Sequence, residues 1–455
     1  MNIQNFKSPF SFLLWISAPL FLVEPYAFSA SCPEGSVVQN IQLQGLLNTQ
    51  PHVVERELVN KVGEPFSTEK FNSEKLKLQD LDLFTEIEVD CDVSGKSWTG
   101  DDDENREGGN GGGIRSGNGS RAVTVTYKFK EIFRYIPAPA GKTSDRDGLM
   151  VGLALANLNV FGEDIRAEVQ YRTAVDPIFD NNEYAFYSSS PYLFGLPLGW
   201  NFEFLRTNSY DDLRQFQDAS WLLDLDMEWN MNSHFAVLGT GAYRYLEGGA
   251  GHLPEFGAGF AVDYRDAALD ARRGIYQEYM LTHVGSGVQE NHKGENYWEI
   301  LSDSRAYWMF GRFVTGAMAF IRYRPGVVQQ YDYYYHGGEN TFRGHGADSL
   351  SLGVHEALLT LEERFVLMER HAASLWGVNF FYGVQLVWGL EGSLLWDEKK
   401  PGWEDYEGAV YGGLHLVIPA LERIRIEVGY SPDRGEPKLF FGLCEKTTSV
   451  RWRAR

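Results

Sequence analysis

Trp221-Leu222-Leu223-Asp224-Leu225-Asp226-Met227-Glu228-Trp229 sets the period of this chain. Trp221, Leu223, Leu225, Met227 and Trp229 fall on one face of an extended strand, and Asp224, Asp226 and Glu228 on the other. The reason is that successive side chains of a strand point to opposite sides. Three more stretches repeat the pattern. Ile165, Ala167, Val169 and Tyr171 alternate with Arg166, Glu168, Gln170 and Arg172; Phe256, Ala258, Phe260, Val262 and Tyr264 alternate with glycines, Ala261 and Asp263; Ile424, Ile426, Val428 and Tyr430 alternate with Arg425, Glu427 and Gly429. A soluble sandwich alternates too, but its polar face is the outside. Here the apolar faces carry Trp and Tyr at strand ends, and the mature chain holds no helical transmembrane run. The expected fold is therefore mainly β, a transmembrane antiparallel barrel over residues 149–445. At strand lengths of about 9–11 residues, this span accommodates about 16 strands.

Composition agrees. The 455 residues include 12 Trp, 24 Tyr and 48 Gly, which suits many short strands, tight turns and interfacial girdles. The net charge of -21 argues against a nucleic-acid partner, whose phosphates require a basic face. Residues 1–31 read as an export signal. Lys7 supplies the positive start, Phe10 to Val23 the apolar core, and Ala27, Ser29 and Ser31 the small residues of a cleavage site. The apolar run ends at Glu24-Pro25, too short for a membrane anchor.

Residues 33–131 form a separate α+β unit. A strand containing Val37, Ile41 and Leu43 ends at Gly45. Two helices follow, His52 to Val62 and one opening at Ser67-Thr68-Glu69-Lys70 that carries Phe71, Leu76, Leu78 and Leu81. Phe84 to Val89 and Val123 to Phe129 then alternate as two strands, separated by a Gly/Asp-rich insertion at 94–121. The insertion's Asp101-Asp102-Asp103-Glu104 could chelate calcium, but its glycine run offers no rigid cage, and no metal site is expected. Residues 132–148 are read as a linker, and 446–455 as a C-terminal tail. Of three cysteines, Cys32 and Cys91 can pair in an oxidising compartment, Cys32 can alternatively be lipidated, and Cys444 has no evident partner.

Several motifs resemble a known family. Arg56-Glu57-Leu58, Gly63-Glu64-Pro65-Phe66, Leu81-Asp82-Leu83-Phe84 and Lys130-Glu131 resemble a POTRA domain along the whole N-terminal unit. In the barrel, Asn157-Leu158-Asn159-Val160-Phe161-Gly162 resembles a first-hairpin turn. Asp263, Arg265, Asp266 and Gly274 resemble a hairpin motif, here without its proline. Gly337, Gly338, Phe342, Arg343 and Gly344 resemble the Gly-Gly…Arg-Gly motif of a sixth extracellular loop. Gly412-Gly413, Pro419 and Arg423 to Gly429 resemble a penultimate strand region. Together they are similar to the BamA/TamA outer-membrane insertase superfamily, the bacterial surface antigen family, with a single POTRA.

The resemblance implies a 16-stranded barrel in the bacterial outer membrane, with the N-terminal unit in the periplasm. It implies that Arg343 folds into the lumen and meets an inward acidic residue. The partner position departs from the family, since Leu390 stands where an Asp is usual. Glu391 serves if a bulge turns it inward, and Glu363 is the alternative. The implied function is insertion or translocation of other proteins. Extended clients would dock on the POTRA edge and pass to a weak seam joining Leu149–Leu155 with Leu439–Leu443. A dedicated secretion pore and a passive barrel remain the alternatives. The expected partners are outer-membrane lipid and extended client proteins, with no cofactor.

Enzyme chemistry has little footing. No G-x-S-x-G elbow occurs, and His355-Glu356 begins an H-E-x-x-H pattern in which Leu359 replaces the second histidine. The chain is expected not to be an enzyme.

Overall fold

A computed structural model describes residues 32–81, 83–97, 121–144, 148–175, 181–211, 216–247, 251–267, 270–285, 296–335, 337, 342–344, 352–375, 378–397, 400–418 and 422–443. Residues 1–31, read above as an export signal, Asp101 to Glu104, Gly338, Cys444 and residues 446–455 lie outside them.

The N-terminal unit is built from β1 (Val37–Gln44), α1 (Pro51–Glu55), α2 (Thr68–Asp80), β2 (Phe84–Ser97) and β3 (Arg121–Glu131). Its sheet runs β1-β3-β2, with β1 parallel and β2 antiparallel to β3. Val38, Val53, Val54, Phe66, Phe71, Leu78 and Val125 fill the core between the sheet and the helices. Cys32 and Cys91 form a disulfide with Cα atoms 5.1 Å apart, a separation that the bond geometry accepts. The first helix is shorter than the apolar spacing predicts. The N–H groups of Val59 and Asn60 turn to the buried Glu74 carboxylate, which also accepts the Tyr127 hydroxyl at 2.7 Å. Those amides are thereby lost to any continuation of the helix.

The barrel wall comprises β4 (Tyr135–Ser144), β5 (Gly148–Val160), β6 (Ile165–Ala174), β7 (Asn182–Ser190), β8 (Leu198–Asp211), β9 (Phe216–Asn230), β10 (Phe235–Leu246), β11 (Gly251–Asp263), β12 (Gly274–Val284), β13 (Tyr297–Phe310), β14 (Phe313–Tyr323), β17 (His355–Leu375), β18 (Val378–Trp396), β19 (Tyr406–Ile418), β20 (Glu422–Tyr430) and β21 (Pro437–Leu443). These form one 16-stranded sheet in which each strand pairs with its neighbour in the wall. Two short strands, β15 (Tyr334–Tyr335) and β16 (Leu352–Gly353), pair with each other within the connection from β14 to β17.

Two boundaries differ from expectation. The linker read at 132–148 contains β4, the first wall strand. Its Ile136-Pro137-Ala138-Pro139-Ala140-Gly141 has neither the aromatics nor the polar alternation that mark the other strands, and proline is tolerated because β4 is an edge. The seam therefore lies between β4 and β21. Leu149 to Leu155 belongs to β5, which is paired on both sides.

The polarity of the wall is that of a membrane barrel. Trp221, Leu223, Leu225 and Trp229 are exposed on the outer face. Glu228, Glu278, Glu362, Arg364, Gln385, Glu391 and Glu427 are buried on the inner one. Apolar groups facing outward and charges facing inward suit a hydrocarbon surround.

The N-terminal unit docks on the turns at one end of the barrel. Arg56 pairs with Asp164 at 2.9 Å and lies 3.8 Å over the Tyr192 ring, whose hydroxyl donates to Glu57 at 3.0 Å. Asn159 donates to the Thr49 hydroxyl at 2.9 Å, and the Gln50 amide to the Gly162 carbonyl at 3.0 Å. Gly162 has φ +79°, and a methyl there would stand 2.1 Å from the Asn48 carbonyl oxygen. The first-hairpin turn is thus glycine because the N-terminal unit presses against it.

Glu131 organises the docked loop by accepting the N–H groups of Leu47, Asn48 and Thr49. Partial burial works against its charge, but the hydrogen bonds from Thr49 and Asn48 prevail and hold its carboxyl below the usual range. A depressed folded value adds stability above the unfolded value, and that contribution fades as pH falls through the folded value. In hydrogen exchange, protection of the 47–49 amides should therefore exceed that in Glu131→Gln at about pH 7. The two should converge once pH falls below that lowered folded value. A difference that persists unchanged into acid would refute this.

Candidate functional site: an arginine clamped in the barrel lumen

The connection from β14 to β17 is the sixth at the end opposite the N-terminal unit. It does not stay outside. Near its start Asp332 accepts the Tyr297 hydroxyl at 2.9 Å and pairs with Arg244. Arg324 lies 3.6 Å over Tyr334 and pairs with Glu299 at 2.8 Å. Further along, Phe342 is fully buried and Arg343 is 7% exposed.

Arg343 meets two carboxylates from the wall. Its Nε and Nη2 donate to Glu391 Oε1 at 2.9 and 2.6 Å, while its own backbone N–H donates to Glu391 Oε2 at 2.7 Å. Nη1 donates to Glu427 Oε1 at 2.9 Å, which His415 Nε2 also meets at 2.8 Å. The guanidinium lies 3.5 Å over Tyr411, whose hydroxyl donates to Glu362 at 2.8 Å. A planar guanidinium matches this set: two N–H groups to one carboxylate, a third to the other, and a face for the ring.

Glu391 needs no bulge to point inward. Its register with β17 and β19 is regular, Thr360 and Ala409 lying opposite, and Leu390 takes the outer face at 56% exposure. Glu363 is not the partner. It lies on the outer parity of β17 with the exposed Leu359 and Leu361, and accepts the Thr315 hydroxyl at 2.7 Å. The sequence reading did not single out Glu427, Tyr411 or Glu362 as partners.

The motif glycines have steric reasons where they are described. Gly337 has φ +121°. A methyl on Gly344 would stand 2.3 Å from the Phe342 ring, and one on Gly429 of β20 would stand 1.8 Å from the Arg343 carbonyl oxygen. Gly429 is thus what admits the loop against the wall.

The motif at 263–274 builds the turn between β11 and β12. Arg265 donates to Asp263 through Nε and Nη2 at 3.0 and 2.8 Å and lies 4.4 Å over Tyr276. Asp266 accepts the N–H groups of Arg272 and Arg273. A methyl on Gly274, at φ +103°, would meet the Tyr264 oxygen at 2.0 Å. So shaped, the turn carries Asp270 into the barrel. Arg364 pairs with it at 3.0 Å and Gln385 donates to it at 3.0 Å. Arg364 Nε also stands 3.4 Å from Glu362. Glu362 therefore lies between Arg364, which holds the turn's Asp270, and the loop's arginine, 4.0 Å from Arg343 Nη1.

The fold of this chain is matched among solved structures. BamA from Haemophilus ducreyi lacking POTRA domains 1-3 superposes with a TM-score of 0.52 at 11% identity, over 89% of this chain and 83% of that one. CdiB from Acinetobacter baumannii gives 0.53 at 11% identity, over 89% and 72%. This chain has the BamA-type barrel fold. At that identity the likeness concerns fold alone. No protein-family model and no curated protein matches the sequence.

Proposed function

We propose that this protein is a bacterial outer-membrane barrel that assists insertion or translocation of other proteins, with its N-terminal unit, a POTRA-like domain, in the periplasm. The observation that carries the reading is the lumen loop held by Arg343 on Glu391 and Glu427, in a barrel whose first and last strands form no ladder among the described residues. A passive channel has no use for an open edge between its first and last strands, and a loop clamped to its inner wall only narrows its lumen. The chemistry required is exchange of backbone hydrogen bonds and not catalysis.

Extended clients would meet the N-terminal sheet first. The outer edge of β1 is covered in part by residues 63–66, through the Val38 N–H to the Glu64 oxygen and the Phe66 N–H to the Ser36 oxygen. β2 is the other edge of the sheet, and a sheet edge is where strand addition takes place.

Depleting the protein and quantifying the outer-membrane proteome tests the reading. Broad loss of barrel proteins is expected for an insertase. Loss of one exported protein would make it a dedicated secretion pore, and an unchanged proteome would leave a passive barrel and defeat the proposal.

A further inference from the structure

The two strands at the seam are chemically unequal. In β4, residues Tyr135 to Ser144 oppose Asn157 to Gly148 of β5 in unbroken register. One position earlier in the same register, the Leu158 N–H donates to the Arg134 carbonyl at 2.9 Å. A bond between directly opposed residues marks a hydrogen-bonded pair, and such pairs alternate along an antiparallel ladder. Arg134, Ile136, Ala138, Ala140 and Lys142 therefore turn their backbone groups toward β5. Tyr135, Pro137, Pro139, Gly141 and Thr143 turn theirs toward the seam.

Both prolines thus fall on the open side, where they leave the ladder to β5 intact. Along the seam they remove two successive donors from the middle of the edge. Any strand laid along all of β4 would leave two carbonyls without a donor at membrane depth, each at a cost of several kcal/mol. β21 has no such gap. Only Pro437, its first residue, lacks an N–H, so either alternate set of Lys438 to Leu443 presents three successive donors. Consistently, Cα atoms of β4 and β21 come within 8 Å, yet the strands form no ladder.

We propose that the strand-accepting edge of this barrel is β21 and not β4, and that Pro137 and Pro139 enforce the choice. The occupant is an extended, alternately apolar segment of a client chain. Its outward side chains would continue the lipid face that Leu439 begins at 71% exposure, while its backbone satisfies β21. This rests on the functional reading above, since it supposes that the protein handles extended clients. It also limits that reading, because a client strand would not be templated along the first strand.

The test uses the full chain in phosphatidylethanolamine/phosphatidylglycerol vesicles. The probe is a synthetic alternating Val/Thr peptide of strand length that carries a benzophenone. Photo-crosslinks should map to 437–443 over 135–144 by about tenfold or more, the ratio expected for 1.4 kcal/mol or more of difference between the edges. In the double variant Pro137→Val, Pro139→Val, two donors return. The seam should then zip, amide exchange at Gly141, Thr143 and Lys438 to Leu443 should slow about tenfold or more, and labelling of 437–443 should fall. Pro137→Ala alone should give part of this effect and serves if the double variant fails to assemble.

Equal labelling of the two edges, labelling of neither, or unchanged exchange in assembled variants overturns the proposal. Dimers joined through 437–443 that exclude the probe would assign the edge to a second copy and overturn it too. If depletion leaves the proteome unchanged while the probe still marks 437–443, the functional reading fails and the edge assignment stands.

Discussion

Arg343→Ala leaves the barrel assembled, frees the sixth loop from the lumen and abolishes most activity: this is the expected result with the largest effect. The wall is held by backbone ladders that Arg343 does not join, so assembly should survive. The clamp should not. Glu391 and Glu427 have side chains with no exposed surface, and both are paired with this guanidinium. Removing one member of a buried ion cluster costs about 3–5 kcal/mol, because the remaining charges are left uncompensated. Water entry or protonation relieves that cost only if the loop moves away.

Arg343→Lys separates charge from geometry. One ammonium can reach Glu391 or Glu427, but it cannot supply the paired Nε and Nη2 contacts together with Nη1. Loop protection should fall between that of the native protein and that of Arg343→Ala. The measurements are limited proteolysis within 336–351, heat-modifiable migration as the check on assembly, and the client phenotype. Native protease resistance and native activity in assembled Arg343→Ala would sink the assignment.

The parts of the molecule that could be read from sequence are those whose information is local. Trp221 to Trp229 declared its own period, and the exposed Trp221 and Leu223 lie on the apolar face that the period defines. β4 was missed because alanine, glycine and proline carry no such period, and the reason a proline-bearing strand is stable there, its place at an edge, is a property of the whole sheet. The first helix was drawn too long because Glu74, which captures the Val59 and Asn60 amides, comes from a different element.

The site shows the same division. Arg343 was singled out by the resemblance of its Gly-Gly…Arg-Gly setting to a family motif, and Glu391 was one of two candidate partners. The bulge invoked to turn Glu391 inward was unnecessary, because the outward Leu390 already fixes the parity. Glu427 looked like an ordinary polar position beside Arg425. Its role depends on β18, β19 and β20 lying side by side in one register, which no single strand encodes.

Gly429→Ala should displace the same loop without touching a charge. The added methyl would stand 1.8 Å from the Arg343 carbonyl oxygen, 2.8 Å from its carbonyl carbon and 3.0 Å from the Phe440 ring. Ordinary contact would require the loop backbone to retreat by roughly 1.5 Å, and packed interiors accommodate such overlap poorly. Arg343 hydrogen bonds of 2.6 to 2.9 Å do not survive a shift of that size in their own backbone. Every ionisable group remains, so a loss of loop protection in Gly429→Ala would show that the position of the loop, and not merely the sum of lumen charges, sets the closed state. Gly408→Ala is the control, because a methyl there meets nothing within 4 Å. Proteolysis within 336–351 should be accelerated in Gly429→Ala and native in Gly408→Ala, with both barrels equally heat-modifiable. Equal protection of the two variants would mean that β20 yields to the methyl more easily than the loop does, and the close approach at Gly429 would then have no part in holding Arg343.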